Sequence, residues 1–348
     1  MYEKNGEKYY IVDSHMHFWD ASPANWVPGA ENYAEGWINC FHAYQGLGPK
    51  ETHWSIEKFQ KYSEADLMKD VFEDGYVDVA IFQPTYLTEW YKTGFNTTER
   101  NAALGAKHPG KFVANTRWDP REGEAGMKTL RENVARYGSK SVKLYTAEWR
   151  EGSRGWTLKD PEAYKYLELC GELGIKNIHV HKGPTIIPLN RDAFDVADID
   201  DVATSFQDLN FIVEHCGLPR LDDFCWIATQ ETNVYGGLAV ALPFIHTRPG
   251  YFGHVLSELL FWLGPDKLLY GSDYGIWTPK WLIDKFMAFE IPADETKETG
   301  SVLTLETKKK ILGENAARLY GIDIEAQKKK IRAAGGYDHL AHAVHAAE

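Results

Sequence analysis

Residues 9–18, YYIVDSHMHF, decide the fold. An apolar, β-branched run ends in Asp13, His15 and His17 at alternate positions. A strand has a side-chain period of two, so the spacing predicts that all three residues leave the strand end in one direction. Seven further runs of similar make follow: VDVAIFQP (77–84), KFVANTR (111–117), KSVKLY (140–145), IKNIHVH (175–181), LNFIVEH (209–215), NVYGGLAV (233–240) and DKLLYGSD (266–273). Amphipathic stretches separate most of them. In EAGMKTLRENVARYG, Met127, Leu130, Val134 and Tyr137 recur at steps of three and four, and PEAYKYLELCGELG opens on Asp160-Pro161, an N-cap and first-turn pair. Eight buried-looking strands alternating with helices predict a parallel sheet closed into an α/β (β/α)8 barrel, a TIM barrel. An open doubly wound sheet would bring a glycine-rich phosphate turn after an early strand, and none is present.

The chain has 348 residues, with 38 Lys+Arg against 50 Asp+Glu, for a formal charge of -12. Nucleic acid and anionic membranes both select basic surfaces, so neither is an expected partner. The start, MYEKNGEKYY, is polar, and no run approaches a membrane span in length. Four cysteines without a C-x-x-C pair read as reduced thiols, and a cytoplasmic protein is expected. The barrel is expected over residues 1–321 and a C-terminal helical extension over 322–348. His339, His342 and His345 in that extension read as a helix face rather than a metal site. The long connection after the first strand carries Trp26, Tyr33, Trp37, Tyr44, Trp54 and Tyr62. It leaves the barrel face where active sites form, so it is expected to act as an aromatic lid.

Histidines gather at the strand ends. His15 and His17 end the first strand, His179 and His181 the fifth and His215 the sixth, while Asp273 ends the eighth. Imidazoles with a carboxylate make a mixed nitrogen and oxygen site suited to zinc, iron or manganese. One strand-end histidine means little, but H-x-H, H-x-G, H-x-G and G-S-D in this order predict a divalent metal centre of one or two ions.

These motifs, VDSHMHF (12–18), HVHKG (179–183), VEHCG (213–217) and LLYGSDYG (268–275), resemble the metal signature of the amidohydrolase superfamily. The likeness spans about residues 9–320 and is strongest to the branch of aminocarboxymuconate-semialdehyde decarboxylase-like enzymes. It implies His15, His17, His181 and Asp273 as ligands of one divalent ion, with His215 either a ligand of a second ion or a general acid/base. Lys143 stands where dinuclear relatives carry a bridging carboxylated lysine; the alternatives are an ordinary ammonium paired with a carboxylate, and Glu148 as the bridge. Lys143, His215 and Asp273 are the catalytic candidates. Asp13 is expected to orient an imidazole, and His179 to pack a layer deeper. Arg248 and His254 after the seventh strand, and Trp19 beside H-x-H, are candidate substrate contacts, with His246, His42 and His53 ranked below them.

Three functions follow from this reading. The first is metal-assisted hydrolysis or nonoxidative decarboxylation of a small carboxylate-bearing substrate. The second is O2-dependent hydroxylation at iron or manganese, since the chain also resembles, more loosely, the amidohydrolase-related α-aminoisobutyrate hydroxylase subunits. The third is a structural partner subunit of such a complex. A homo-oligomer, or a hetero-oligomer with a related subunit, is expected.

Overall fold

The computed structural model describes residues 1–186 and 188–333. Its eight parallel strands are β1 (Val12–Met16), β2 (Val79–Phe82), β3 (Phe112–Ala114), β4 (Ser141–Leu144), β5 (Asn177–His181), β6 (Asn210–Glu214), β7 (Val234–Gly237) and β8 (Leu268–Leu269). Each lies inside one of the eight predicted runs. β1 to β3 pair in chain order, as do β4 to β8. Parallel bridges at Thr116–Val142 and Met16–Tyr274 join the two sheets at both edges. The Lys143 amide donates to the Thr116 carbonyl (2.8 Å) and the Ser14 amide to the Tyr270 carbonyl (3.0 Å). Eight strands in chain order around a ring make the (β/α)8 barrel. A short antiparallel hairpin, Tyr2–Lys4 with Glu7–Tyr9, precedes it.

Two helices form where the periodicity places them: α2 (Gly123–Tyr137) follows β3 and α3 (Pro161–Glu172) follows β4, while α1 (Glu31–Ala43) lies in the long first connection and α4 (Pro249–Leu263) follows β7. Gly138, with φ of 64°, closes α2 in the left-handed conformation that glycine adopts without strain. Asp160 does not cap α3 with its side chain; it accepts the Thr157 amide one turn earlier instead (3.1 Å).

One irregularity of β1 matters for the site. Asp13 stands opposite Ala80, but Met16 stands opposite Phe82, so β1 carries one extra residue between them. A bulge of this kind resets the alternation of side chains. His15 and His17 therefore turn into the barrel mouth, while Asp13 faces the end of β8. There it accepts the Ser272 amide (2.9 Å) and the amide of His15 (3.2 Å) and touches no imidazole nitrogen. The expectation that Asp13 shares the direction of the H-x-H pair is corrected by this bulge.

A polar layer fills the barrel below the mouth. Gln83 donates to His179 Nδ1 (3.1 Å), and Asn115 donates to Gln83 (3.0 Å). The Tyr320 hydroxyl, from the helix ended by Gly321, meets His179 Nε2 at 2.7 Å. His179 is thus one layer deep, as its spacing predicted. The first connection lies over the mouth, with Trp37 of α1 fully buried and Trp19 stacked on Phe95 (5.1 Å). A helix at Ile324–Ala333 begins the C-terminal extension. His339, His342 and His345 lie outside the described residues. Among the described residues, no helix is long and apolar enough to cross a membrane.

Candidate metal centre

Four imidazoles and two carboxylates converge at the C-terminal mouth of the barrel. His15 Nε2 lies 3.2 Å from His17 Nε2, and Asp273 Oδ1 lies 3.1 Å from His17 Nε2 and 3.6 Å from His15 Nε2. His215 Nε2 lies 3.1 Å from His181 Nδ1. All are buried except His181, which is partly open to the cavity.

Main-chain carbonyls assign two of the tautomers: His215 Nδ1 lies 3.0 Å from the carbonyl of Ala239 and His181 Nε2 3.1 Å from that of Pro184, whereas His17 Nδ1 lies between the Gln83 carbonyl (2.8 Å) and the Asn96 side-chain amide nitrogen (3.0 Å). A ring nitrogen this close to a carbonyl oxygen carries the hydrogen, so the opposite nitrogen is a bare lone pair. His15 Nδ1 faces Glu214 Oε1 at 3.2 Å. The close His215–His181 nitrogen pair therefore sets lone pair against lone pair, while His15 and His17 bring two ring nitrogens together beside Asp273. Two acceptors at such a distance repel unless a cation lies between them. Burial also pushes His15 down to about 4 and lowers His181 and His215. Asp273 stays below the usual carboxylate range, because His15 and His17 outweigh the effect of its burial.

The donor set fits a divalent metal. Two groups have ligand atoms within 4.8 Å of one another: His15, His17 and Asp273, and His15, Glu214 and His215. His15 belongs to both. Nitrogen with carboxylate oxygen suits zinc, iron or manganese. His181 falls in neither group, because its free nitrogen meets His215 rather than the H-x-H pair.

Glu214 is the residue that sequence reasoning missed. It is 1 % exposed, and its Oε1 has no well-aligned hydrogen bond although His15 Nδ1 (3.2 Å) and His179 Nδ1 (3.5 Å) both approach it. The Lys143 ammonium pairs with Oε2. His15 and Lys143 hold the Glu214 carboxyl well below its ordinary range against the effect of burial. The signal was available: Glu214 is the last strand residue of β6 and pairs in register with His181 on β5. The Lys143 side chain thus ends on the Glu214 carboxylate. Glu148 does not bridge here, since it lines a different cavity with Arg117 and Trp149.

Two of the motif glycines make room for ligands. A Cβ on Gly183 would stand 2.7 Å from the His215 ring, and one on Gly271 2.7 Å from His15 Cβ. The H-x-G and G-S-D spacings thus record close packing around the histidines as well as the turns.

In front of the cluster lies a cavity of about 480 Å³, counting its open mouth, walled by Trp37, Phe41 and Tyr44 of the lid with Phe95, Tyr145 and Ile276. The lid places its aromatics as predicted. The three substrate contacts expected from sequence are not on this wall. Arg248 and His254 are exposed at the start of α4, where Arg248 lies over Tyr251 (4.5 Å) and His254 faces Glu295 (3.2 Å). Trp19 stands behind Phe95, with its indole N–H spent on the Phe59 carbonyl (2.6 Å). His246 is exposed, and His42 and His53 are turned to the carbonyls of Trp54 and Gly48. None of these three lines the cavity.

Comparison with known proteins agrees with this architecture. A search of curated proteins gives no significant match. Among solved structures, an uncharacterized TIM-barrel protein from Bordetella bronchiseptica is 18% identical over 90% of this chain and 99% of its own, with a TM-score of 0.65. A 2,6-dihydroxybenzoate decarboxylase from Rhizobium is 15% identical over 91% of this chain and 100% of its own, at 0.60. A 5-carboxyvanillate decarboxylase from Novosphingobium aromaticivorans, solved with manganese and a nitrobenzoic acid, is 13% identical over 90% and 96%, at 0.58. A family profile described as amidohydrolase matches residues 12–322, from the first residue of β1 to just past the Gly321 cap. With barrel, strand-end histidines and profile in agreement, the chain belongs to the amidohydrolase family.

Proposed function

We propose that this protein is a metal-dependent enzyme that decarboxylates or hydrolyses a small, flat, carboxylate-bearing substrate, with nonoxidative decarboxylation the favoured reaction. The observation that carries the reading is the convergence of His15, His17 and Asp273, whose ligand atoms lie within 4.8 Å of one another, next to the group His15, Glu214 and His215. His15, His17 and Asp273 would hold the ion, with Glu214 and His215 beside them. When bound, a divalent metal supplies a Lewis acid that polarises a carboxylate or carbonyl oxygen and acidifies a coordinated water.

The chain's own residues do the rest. Trp37, Phe41, Phe95 and Tyr145 present flat apolar surface and exclude water, which suits a planar ring. Among the described residues the cavity wall holds no arginine, and its one lysine, Lys143, is taken by Glu214. A substrate carboxylate therefore has to be received at the metal cluster. His215 is fixed through Nδ1; where the ion is held by His15, His17 and Asp273, its Nε2, beside His181 Nδ1, would take a proton from, or return one to, the reacting carbon or a water. The neighbouring decarboxylases support this reading by fold alone.

The test is CO2 release from hydroxylated benzoates by protein loaded with manganese or zinc. Turnover that disappears with chelation and falls about 10²–10⁴-fold in His215→Asn supports the proposal. Turnover indifferent to chelation rejects it. The second ligand group, His15 with Glu214 and His215, favours one alternative: a two-ion site of iron or manganese that hydroxylates with O2. Substrate-dependent O2 consumption without CO2 release would favour that alternative, and with it an assembly with a related subunit. A protein that takes up no metal at all would be the structural subunit.

A further inference from the structure

Beyond the candidate ligands, the wall of the metal cavity carries the hydroxyls of Tyr44, Thr85 and Tyr145. Those of Tyr44 and the Cys40 thiol are hydrogen-bonded to each other. The other two are unclaimed. Thr85 is 4 % exposed and Tyr145 8 %, yet neither hydroxyl oxygen is sealed from solvent, and neither has a hydrogen-bond partner among the described residues. Both side chains line the metal cavity and not the one that holds Glu148, so the space they open to lies in front of the histidines.

Packing holds both groups still. The Tyr145 ring stands edge-on to His181 (4.8 Å), Phe194 (5.1 Å) and Trp37 (6.1 Å). Thr85 exchanges two main-chain hydrogen bonds with Asn96 (2.8 and 2.9 Å), and a β-branched side chain on a fixed backbone has little rotamer freedom. Burial keeps the Tyr145 phenol above its usual range, so it stays a donor. Thr85 lies just past β2, and Tyr145 directly follows β4. In a ring of eight strands, those four apart are opposite. Thr85 therefore stands across the mouth from His215 at the end of β6, and Tyr145 across from Asp273 beyond β8.

We propose that Thr85 and Tyr145 set substrate choice by hydrogen-bonding a neutral oxygen, a hydroxyl or a carbonyl, on the edge of the substrate away from its carboxylate. The inference rests on the reading of the substrate as a flat carboxylate received at the metal. A second carboxylate is disfavoured at that edge, because the one lysine of the wall, Lys143, already meets Glu214. A bare ring edge is disfavoured because it would cover two hydroxyls without giving either a partner, which costs free energy.

The test is calorimetric titration of the manganese-loaded full chain with benzoate, 3-hydroxybenzoate, 4-hydroxybenzoate and benzene-1,3-dicarboxylate. The 2-hydroxy isomer is left out, since its hydroxyl can reach the metal directly. At least one hydroxybenzoate should bind about three- to tenfold more tightly than benzoate, the gain expected of a neutral hydrogen bond, and the dicarboxylate more weakly. Tyr145→Phe and Thr85→Val keep the packed shapes. The hydroxyl preference should shrink in each and vanish in the double variant, while benzoate affinity and metal content hold. A preference that survives in the double variant, no preference in the wild type, or tighter binding of the dicarboxylate would overturn this inference and leave the metal-dependent reading standing. Benzoate affinity or metal lost along with the preference would make the two residues structural and overturn it too. Wild-type protein that binds none of the four carboxylates would overturn both.

Discussion

Lys143 at the end of β4 reaches past β5 to Glu214, the last residue of β6, and the two form an ion pair in which each side chain is 1 % exposed. A buried pair broken by removing one partner leaves an uncompensated charge, at a cost of about 3–5 kcal/mol. Lys143→Met is therefore expected to lower the stability of chelated protein by that order. A divalent ion beside Glu214 should restore part of the loss. Thermal unfolding with and without chelator measures both; an equal drop in the two conditions would show that Glu214 does not face the ion.

The paired histidines of β1 should be separable from the fold. His15→Ala with His17→Ala removes two ligands from a barrel whose strands are already packed, so metal content should collapse while circular dichroism stays that of the wild type. Metal at the wild-type level in this double variant would remove β1 from the centre.

His215 and Glu214 report the number of ions. In a one-ion site His215→Ala keeps its metal and loses activity. In a two-ion site His215→Ala and Glu214→Gln each lose about half the metal. Elemental analysis of both variants beside Asp273→Asn, which should retain some metal but little turnover, decides between the two. Full metal and full activity in His215→Ala would make the residue purely structural.

Gly183 gives a test that touches no ligand. A Cβ there would fall 2.7 Å from the His215 ring, so Gly183→Ala should push the imidazole out of line. Activity is expected to fall about 10²-fold or more, the size of effect that an ångström of misplacement produces. An overpacking cost of about 1–3 kcal/mol should accompany it. Unchanged activity would mean that His215 moves freely, without a role in the chemistry.

The barrel was legible because its eight strands are short β-branched runs between helix-period segments, and both patterns follow from burial. The histidines that meet at the barrel mouth were legible where strand alternation holds. It misled at Asp13, where the bulge before Met16 resets the direction of side chains. It also concealed Glu214. Strict alternation sends Glu214 and His215 to opposite faces, so choosing the histidine excluded its neighbour. The chain escapes that choice because β6 ends at Glu214, and His215 and Cys216 take left-handed conformations with φ of 62° and 50°. That turn swings His215 back over the mouth. Arg248 and His254 failed for a different reason. They follow β7 in sequence, but α4 begins at Pro249 and carries them onto the exterior.

The acceptors that fix His181 and His215 are main-chain carbonyls, at Pro184 and Ala239. A side-chain acceptor can be lost to one codon change, but a peptide oxygen persists whatever residue bears it. The orientation of the nitrogen cage is thus a property of the backbone path, while the aromatic wall is made entirely of side chains. A lineage built this way can exchange Trp37, Phe41 or Tyr145 to reach new substrates without re-inventing the centre that acts on them.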